Sequence, residues 1–180
     1  MELPNLHPPS VDSVDAFIAP SHFAAAQTPT DKPIATIYPA SIGTPLPRAP
    51  RRKGVFTVAH AGRLAPERSP GLFVRVAALV RRDARFADRA PFPGIPRDDR
   101  PFIRFVIYGD GPLRSSLERL AASLKAGVEF RGHSANLREQ LSSAEILLQP
   151  RPRGETFGIV NAEASNAGCV VLAYMRSGAN

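Results

Sequence analysis

From Val55 to Ala173 the chain alternates short apolar runs with segments of helical periodicity, and this alternation limits the fold more than any other feature. The predicted strands are Val55–Ala59, Phe102–Tyr108, Val128–Phe130, Ile146–Leu148 and Cys169–Ala173. Strands with one solvated face alternate polar and apolar residues, whereas nearly continuous apolar runs are typical of parallel strands that are covered on both faces. The sequence therefore predicts a doubly wound, Rossmann-like α/β domain with a parallel sheet.

Helical segments separate these strands. Ser69 is predicted to cap a helix that starts at Pro70, because proline suits the first helical position. The apolar stripe of this helix is predicted to be Phe73, Val76, Ala77 and Val80. Further helices are predicted over 113–124, near 137–141 and over 157–166. A proline-rich and arginine-rich stretch, about 83–101, is predicted to be an inserted loop.

Residues 1–53 differ from the rest in composition. A short apolar run at Ala16–Ala19, a helix capped by Ser21 and a strand at Ile34–Tyr38 are predicted there, and four prolines follow within residues 39–50. Proline lacks a backbone N–H, so this stretch reads as a linker. Nothing in it could bury a core alone. We divide the chain into residues 1–53 and a domain at 54–180.

The net charge of +7 arises from arginine far more than from lysine. It favours either an anion-binding face or an arginine-rich composition on a solvated surface. Nucleic acid is not expected as a partner, because the basic stretch has no interleaved aromatic residues. The single cysteine, Cys169, excludes an intrachain disulfide and is predicted to be structural, as is His60. No apolar run approaches the roughly 20 residues of a membrane helix. We expect a cytoplasmic protein, with peripheral membrane association as the alternative.

Candidate binding residues lie in the loops that follow the strands, where doubly wound folds bind their ligands. Arg63 and Arg68 follow the first strand of the domain, and Gly158 lies at the start of the last predicted helix. Two guanidinium groups and the N–H groups of a helix N-terminus suit a diphosphate. Glu155 and Glu163 are separated by up to about 12 Å at helical rise, which matches the hexose and ribose hydroxyls of a nucleotide-sugar.

Four segments carry a family resemblance. They are AGRLAPERSP (Ala61–Pro70), FVIYGDGPLRSSLERLA (Phe105–Ala121), VEFRGH (Val128–His133) and ILLQPRPRGETFGIVNAEASNAGCVVLA (Ile146–Ala173). In this order they resemble the nucleotide-sugar-binding half of retaining glycosyltransferases of family 4, the glycosyl transferases group 1 type, which have the GT-B fold. Residues 11–43 resemble the closing part of that family's acceptor domain. The resemblance implies a domain that is incomplete at both ends.

The resemblance also implies roles for individual residues. Arg63 and Arg68 would neutralise the donor diphosphate, Glu155 would hold donor-sugar hydroxyls and Glu163 the ribose hydroxyls. We expect the first three to take part in catalysis. Further donor-binding residues would be Gly62, Gly109, Gly111, Arg131, Gly132, His133, Thr156, Phe157, Gly158 and Ile159. Neither a metal nor another cofactor is expected, since the chain has no Asp-any-Asp motif and the family usually needs no metal.

The implied function is retaining transfer of a hexosyl group from a UDP- or GDP-sugar. The acceptor, whether a glycan, a lipid-linked sugar or a small molecule, is not indicated. One alternative is a non-catalytic fragment, or a donor-binding subunit that needs a separate acceptor-domain protein. A second is an NAD-binding oxidoreductase, since Gly109-Asp110-Gly111 opens a helix after a strand and Glu129 follows 20 residues later. Arg114 at the third glycine position weakens that match.

Overall fold

The computed structural model describes residues 13–39, 46–50, 53–83, 102–151 and 157–174. Its strands are β1 (Phe17–Ala19), β2 (Ile34–Thr36), β3 (Val55–Ala61), β4 (Phe102–Tyr108), β5 (Val128–Gly132), β6 (Ile146–Gln149) and β7 (Val170–Ala173). Its α-helices are α1 (His22–Ala26), α2 (Pro70–Arg82), α3 (Arg114–Ser123), α4 (Leu137–Ser142) and α5 (Ile159–Asn166). None of the described helices is long and apolar enough to cross a membrane.

The main sheet has the order β5-β4-β3-β6-β7, and all its neighbouring strands are parallel. This confirms the predicted α/β fold. The chain winds outward from β3 through β4 to β5, and then crosses back to place β6 on the other side of β3. The order therefore reverses between β3 and β6, and such a reversal opens a crevice at the carboxyl ends of the two strands.

Both faces of the sheet are covered, which explains the continuous apolar runs. Phe73 of α2 and Leu117 of α3 pack on one face around Phe105, and Leu141 of α4 and Ala164 of α5 pack on the other. Neighbouring residues of one strand serve opposite cores, as the period of two requires. In β4, for example, Phe105 belongs to the first core and Val106 to the second.

The amino-terminal segment forms a small β-α-β unit of its own, in which β1 pairs parallel with β2. The predicted cap at Ser21 is confirmed, because its hydroxyl accepts a hydrogen bond from the N–H of Ala24 at 3.1 Å. The strand predicted over Ile34–Tyr38 ends earlier, at Thr36.

The cap of α2 differs from the prediction in its chemistry. Ser69 occupies the N-cap position, and α2 begins at Pro70 as predicted, but the Ser69 side chain makes no capping hydrogen bond. The 3₁₀ turn Pro66–Arg68 ends at Ser69 and leaves its backbone left-handed, with φ 51°. Capping side chains normally need extended backbone at that position. Of the loop predicted over about 83–101, residues 84–101 lie outside the described residues.

Removing the Phe73 side chain should strongly destabilise the domain. Phe73 is 0% exposed, and its ring lies 5.9 Å from that of Phe105. We expect Phe73→Ala to lower the free energy of unfolding by about 3–5 kcal/mol, measured by urea denaturation. Leu79→Ala is the control on the same helix, because Leu79 is 66% exposed. It should change stability by less than about 0.5 kcal/mol. Equal losses for the two variants would contradict this packing.

Candidate functional site

A cavity of about 520 Å³ lies at the reversal of strand order, at the carboxyl ends of β3 and β6. Its walls come from the β3–α2 loop, from the first turn of α5, from the end of β7 and from the amino-terminal unit. The residues that line it are Pro20, Pro39, His60, Ala61, Gly62, Arg63, Arg68, Gln149, Arg151, Phe157, Gly158, Ile159, Val160, Asn161, Ala173 and Tyr174.

Backbone hydrogen bonds hold the β3–α2 loop in place beside this cavity. The N–H of Gly62 donates to the carbonyl of Tyr108 at 3.0 Å, and that of Leu64 to the carbonyl of Asp110 at 2.9 Å. The N–H of Gly109 donates in turn to Gly132 at 2.7 Å. The three strand-end loops are thus joined main chain to main chain, and Arg63 is carried on the loop nearest the cavity.

Glycine at positions 109 and 111 allows these loops to lie close enough for their main chains to form hydrogen bonds. A Cβ built on Gly109 would overlap the carbonyl oxygen of Gly62, and one on Gly111 would lie 2.6 Å from the carbonyl oxygen of Leu64. Both glycines also have positive φ, 132° and 156°. Neither residue lines the cavity. The close approach that requires glycine here is therefore between two loops of the protein.

Two arginines give the cavity its positive charge. Arg63 follows β3 directly, and Arg68 ends the 3₁₀ turn that precedes α2. Between them, Leu64 anchors the loop to the first core, where its side chain is 0% exposed. Both arginine side chains lie on exposed residues and line the same cavity. Two guanidinium groups on one wall can pair with the oxygens of a diphosphate.

The first turn of α5 forms the facing wall. Gly158 is the N-cap of this helix, with φ 79°, and the first turn contains no acidic residue. The first N–H groups of a helix have no intrahelical acceptor and carry partial positive charge. Phe157 precedes the cap, and its ring lies 6.1 Å from that of Tyr38. The amino-terminal unit thereby closes one side of the cavity.

His60 is a buried titratable residue in the cavity wall. It is 1% exposed and packs 5.5 Å from the ring of Phe73. Its Nδ1 lies 3.1 Å from the carbonyl oxygen of Leu148, and a carbonyl only accepts, so Nδ1 carries the hydrogen. Burial, aided by the positive charge of Arg68, lowers the pKa of His60 to about 4. The ring is therefore neutral at pH 7, and Nε2 is a hydrogen-bond acceptor.

The remaining predicted site residues fall into two groups. Those described but not lining the cavity are Gly109, Gly111, Arg131, Gly132, His133 and Glu163. Those outside the described residues are Glu155 and Thr156. Glu163 lies on α5 four residues after Ile159, about 6 Å further along the helix axis. The roles implied for all of these residues stay predictions.

Arg131 and Glu129 have structural partners. Glu129 accepts hydrogen bonds at 2.7 Å from both Arg104 and Arg131, which hold the pKa of its carboxyl well below its usual value. The dinucleotide interpretation needs Glu129 to bind a ribose, and that carboxylate is occupied by two arginines. The arrangement of these residues gives the oxidoreductase alternative no support.

Five residues of the cavity with polar side chains were not predicted as site residues from the sequence, namely His60, Gln149, Arg151, Asn161 and Tyr174. His60 was assigned a structural role, because it lies within an apolar strand. Its signal was its position, two residues before Gly62 at the carboxyl end of the central strand. Gln149 ends β6 and donates to the carbonyl of Ala61 at 2.6 Å. It therefore joins the two strands at the point where the cavity opens.

The family model for "Glycosyl transferases group 1" matches residues 47–180 of this chain. The chain belongs to this family. The glycosyl transferases group 1 domain is also 37% identical over 78 residues to an exopolysaccharide phosphotransferase of Streptomyces coelicolor. That match covers 42% of this chain and 8% of the relative.

Solved structures share the fold of this glycosyl transferases group 1 domain. The pneumococcal O-GlcNAc transferase GtfA in complex with UDP and GlcNAc is 25% identical, with a TM-score of 0.65 over 91% of this chain and 31% of that one. Anabaena HepE in complex with UDP and glucose is 19% identical, with a TM-score of 0.68 over 92% of this chain and 46% of that one. The chain thus spans less than half of these proteins, and its α/β domain matches that of GT-B glycosyltransferases.

A side chain at position 109 should separate the strand-end loops. We expect Gly109→Ala to lower the free energy of unfolding by about 3 kcal/mol or more, because the new Cβ meets main chain that cannot rotate away. Thermal unfolding followed by circular dichroism would measure the loss. Gly71→Ala is the matched control, since its Cβ would lie 3.8 Å from Leu117 within α2. Helix propensity makes that change neutral or stabilising. An intact melting temperature in Gly109→Ala would refute the contact.

His60 should make stability depend on pH. Its pKa is lower in the folded than in the unfolded chain, so the unfolded chain binds more protons between about pH 6.5 and 4. Stability is then fully present above pH 6.5 and is lost as the pH falls toward 4, by up to about 3 kcal/mol. Urea denaturation of the wild type and of His60→Asn across this range would test it. The same slope in both proteins would show that another group titrates.

Proposed function

We propose that the chain is the donor-binding domain of a retaining glycosyltransferase, which binds a UDP- or GDP-sugar for transfer of its hexosyl group. The observation that carries the proposal is the cavity at the strand-order reversal, with Arg63 and Arg68 on one wall and the first turn of α5 on the other. This arrangement suits a diphosphate on three independent grounds: two permanent cations, free helix N–H groups and no acidic residue in that turn. Membership in the family and the UDP complexes of GtfA and HepE support the same ligand.

In this proposal the arginines act on the leaving group. When the bond between the sugar and the diphosphate breaks, negative charge grows on the departing phosphate oxygen. Guanidinium groups that are already in position stabilise that charge without rearranging. His60 adds no positive charge at neutral pH, because its lowered pKa keeps it neutral. The charge of this wall therefore comes from the guanidinium groups of Arg63 and Arg68.

We propose that the binding site for the acceptor is formed by residues outside the described part of this chain. The described amino-terminal unit supplies Pro20 and Pro39 to one edge of the cavity, and these residues carry no group that could activate an acceptor hydroxyl. The chain spans 31% of GtfA and 46% of HepE. One matched structure is that of a GtfA/B complex. A second polypeptide or a further domain would supply the acceptor site, and the acceptor itself follows from that part.

Binding of nucleotide tests the donor site. Isothermal titration calorimetry with UDP, UDP-glucose, GDP and GDP-mannose should give saturable binding for one base class. We expect Arg63→Ala to weaken it at least tenfold, since a charge-assisted hydrogen bond to phosphate contributes about 1.5–3 kcal/mol. The affinity should also fall with added salt.

The matched control is Arg119→Ala. Arg119 is an exposed arginine on α3 that does not line the cavity, so this variant should bind like the wild type. Equal loss in both variants would indicate a general effect of charge. A folded wild-type chain that binds no nucleotide would refute the proposal.

A further inference from the structure

Two polar side chains in the cavity wall are buried and are not used by the diphosphate site. His60 is 1% exposed and Asn161 is 8% exposed, and both line the cavity. They come from opposite sides of the strand-order reversal, His60 from β3 and Asn161 from the first turn of α5. Neither side chain carries charge at pH 7, so neither adds to the attraction of the arginines for phosphate.

Both groups have unused hydrogen-bonding capacity. Nδ1 of His60 is engaged with Leu148, whereas its buried Nε2 has no partner among the described residues. The hydrogen bonds within the described part of the chain include none to the amide group of Asn161. A buried polar atom without a partner, such as His60 Nε2, is costly and uncommon in native proteins. An apolar residue at position 60 would avoid that cost, so a ligand that bonds to Nε2 would explain why a histidine lies there. The amide of Asn161 lines the same cavity and has the capacity to bond to that ligand.

The chemistry of the pair selects the ligand group. His60 Nε2 only accepts, while the Asn161 amide both donates and accepts. A phosphate oxygen could accept from Asn161, but it would face the lone pair of His60 without a hydrogen between them. A hydroxyl satisfies both residues, because it can donate to His60 and accept from Asn161.

We propose that His60 and Asn161 form a hydroxyl-binding subsite beside the diphosphate site, which holds a hydroxyl group of the bound nucleotide-sugar. The inference rests on the proposed donor-binding function. The hydroxyl belongs either to the transferred sugar or to the ribose, and the chemistry is the same in both cases. The arginines alone hold the diphosphate by its charge and leave the rest of the ligand free to rotate about it. The subsite would fix that rotation.

Paired ligands distinguish the two hydroxyl sources. Calorimetry would compare UDP with UDP-glucose, and GDP with GDP-mannose, on the wild type, His60→Asn and Asn161→Leu. Asparagine at position 60 keeps an N–H donor near Leu148 and removes the acceptor at Nε2, and leucine at 161 keeps the volume. We expect each variant to weaken binding about two- to tenfold. A loss confined to the nucleotide-sugars identifies the transferred sugar, and an equal loss for the free nucleotides identifies the ribose.

The double variant tests whether both residues hold one group. If they bind the same hydroxyl, the combined loss should be smaller than the product of the two single losses. His60→Gln, whose amide reaches the position of Nε2, should recover part of the affinity. His22→Asn and Asn136→Leu make the same changes at exposed residues that do not line the cavity, and these variants should bind normally.

The outcomes separate this inference from the proposed function. Unchanged affinity in His60→Asn and Asn161→Leu, with normal wild-type binding, would overturn the subsite and leave the donor site intact. A lower melting temperature without ligand, together with unchanged affinity, would also overturn it, because the two residues would then be structural. A wild-type chain that binds neither nucleotide nor nucleotide-sugar would refute both proposals. If His60→Asn does not fold, His60→Gln and Asn161→Leu decide the question.

Discussion

The central strand β3 is the constraint on which the rest of the structure depends. It pairs with β4 along its whole length and with β6 at Val58 and Ala59 only. At its carboxyl end β3 is therefore still paired with β4 on one side, whereas on the other side its pairing with β6 has already ended. Small side chains at Ala59 and Ala61 let the second core pack closely against it. Because the strand order reverses at this strand, the residues that follow it, Gly62 and Arg63, open onto the cavity.

The loop after β3 owes its position to main-chain contacts, which makes it less dependent on side-chain packing than a surface loop usually is. The N–H of Gly62 donates to the carbonyl of Tyr108, the last residue of β4, and the N–H of Leu64 donates to that of Asp110, just beyond it. The two loops can approach this closely because residues 109 and 111 are glycines, whose missing Cβ atoms would otherwise collide with the main chain of residues 62 and 64. Catalytic and binding groups need positions held within fractions of an ångström, and a loop tied to a buried sheet provides this for Arg63.

The sequence was informative where one physical signal dominated. The bounds of Phe102–Tyr108 were predicted to the residue, because a run of seven residues that are all apolar except Arg104 is typical of a buried strand. Arg63 and Arg68 were predicted to lie at one binding site, because the carboxyl ends of parallel strands meet at the same edge of the sheet. The Ser69 side chain was misjudged, because the 3₁₀ turn before it could not be seen. For His60 the sequence could not show its hydrogen bonding, because burial looks the same in sequence whether a polar side chain is satisfied or not, and the partner of its Nδ1 lies 88 residues away.

The distribution of charge in the cavity argues for a division of labour. Arg63 and Arg68 supply guanidinium groups, whereas burial together with Arg68 lowers the pKa of His60 and keeps it neutral at pH 7. In the proposed donor site, a protonated histidine would be a third cation and would bind a diphosphate more tightly, which would also slow the release of that diphosphate. A neutral ring keeps the acceptor lone pair that a hydroxyl needs. The arginines are therefore suited to bind the charge of a diphosphate. The buried neutral groups are suited to bind a hydroxyl of the sugar or ribose that is attached to it, and so to fix its orientation.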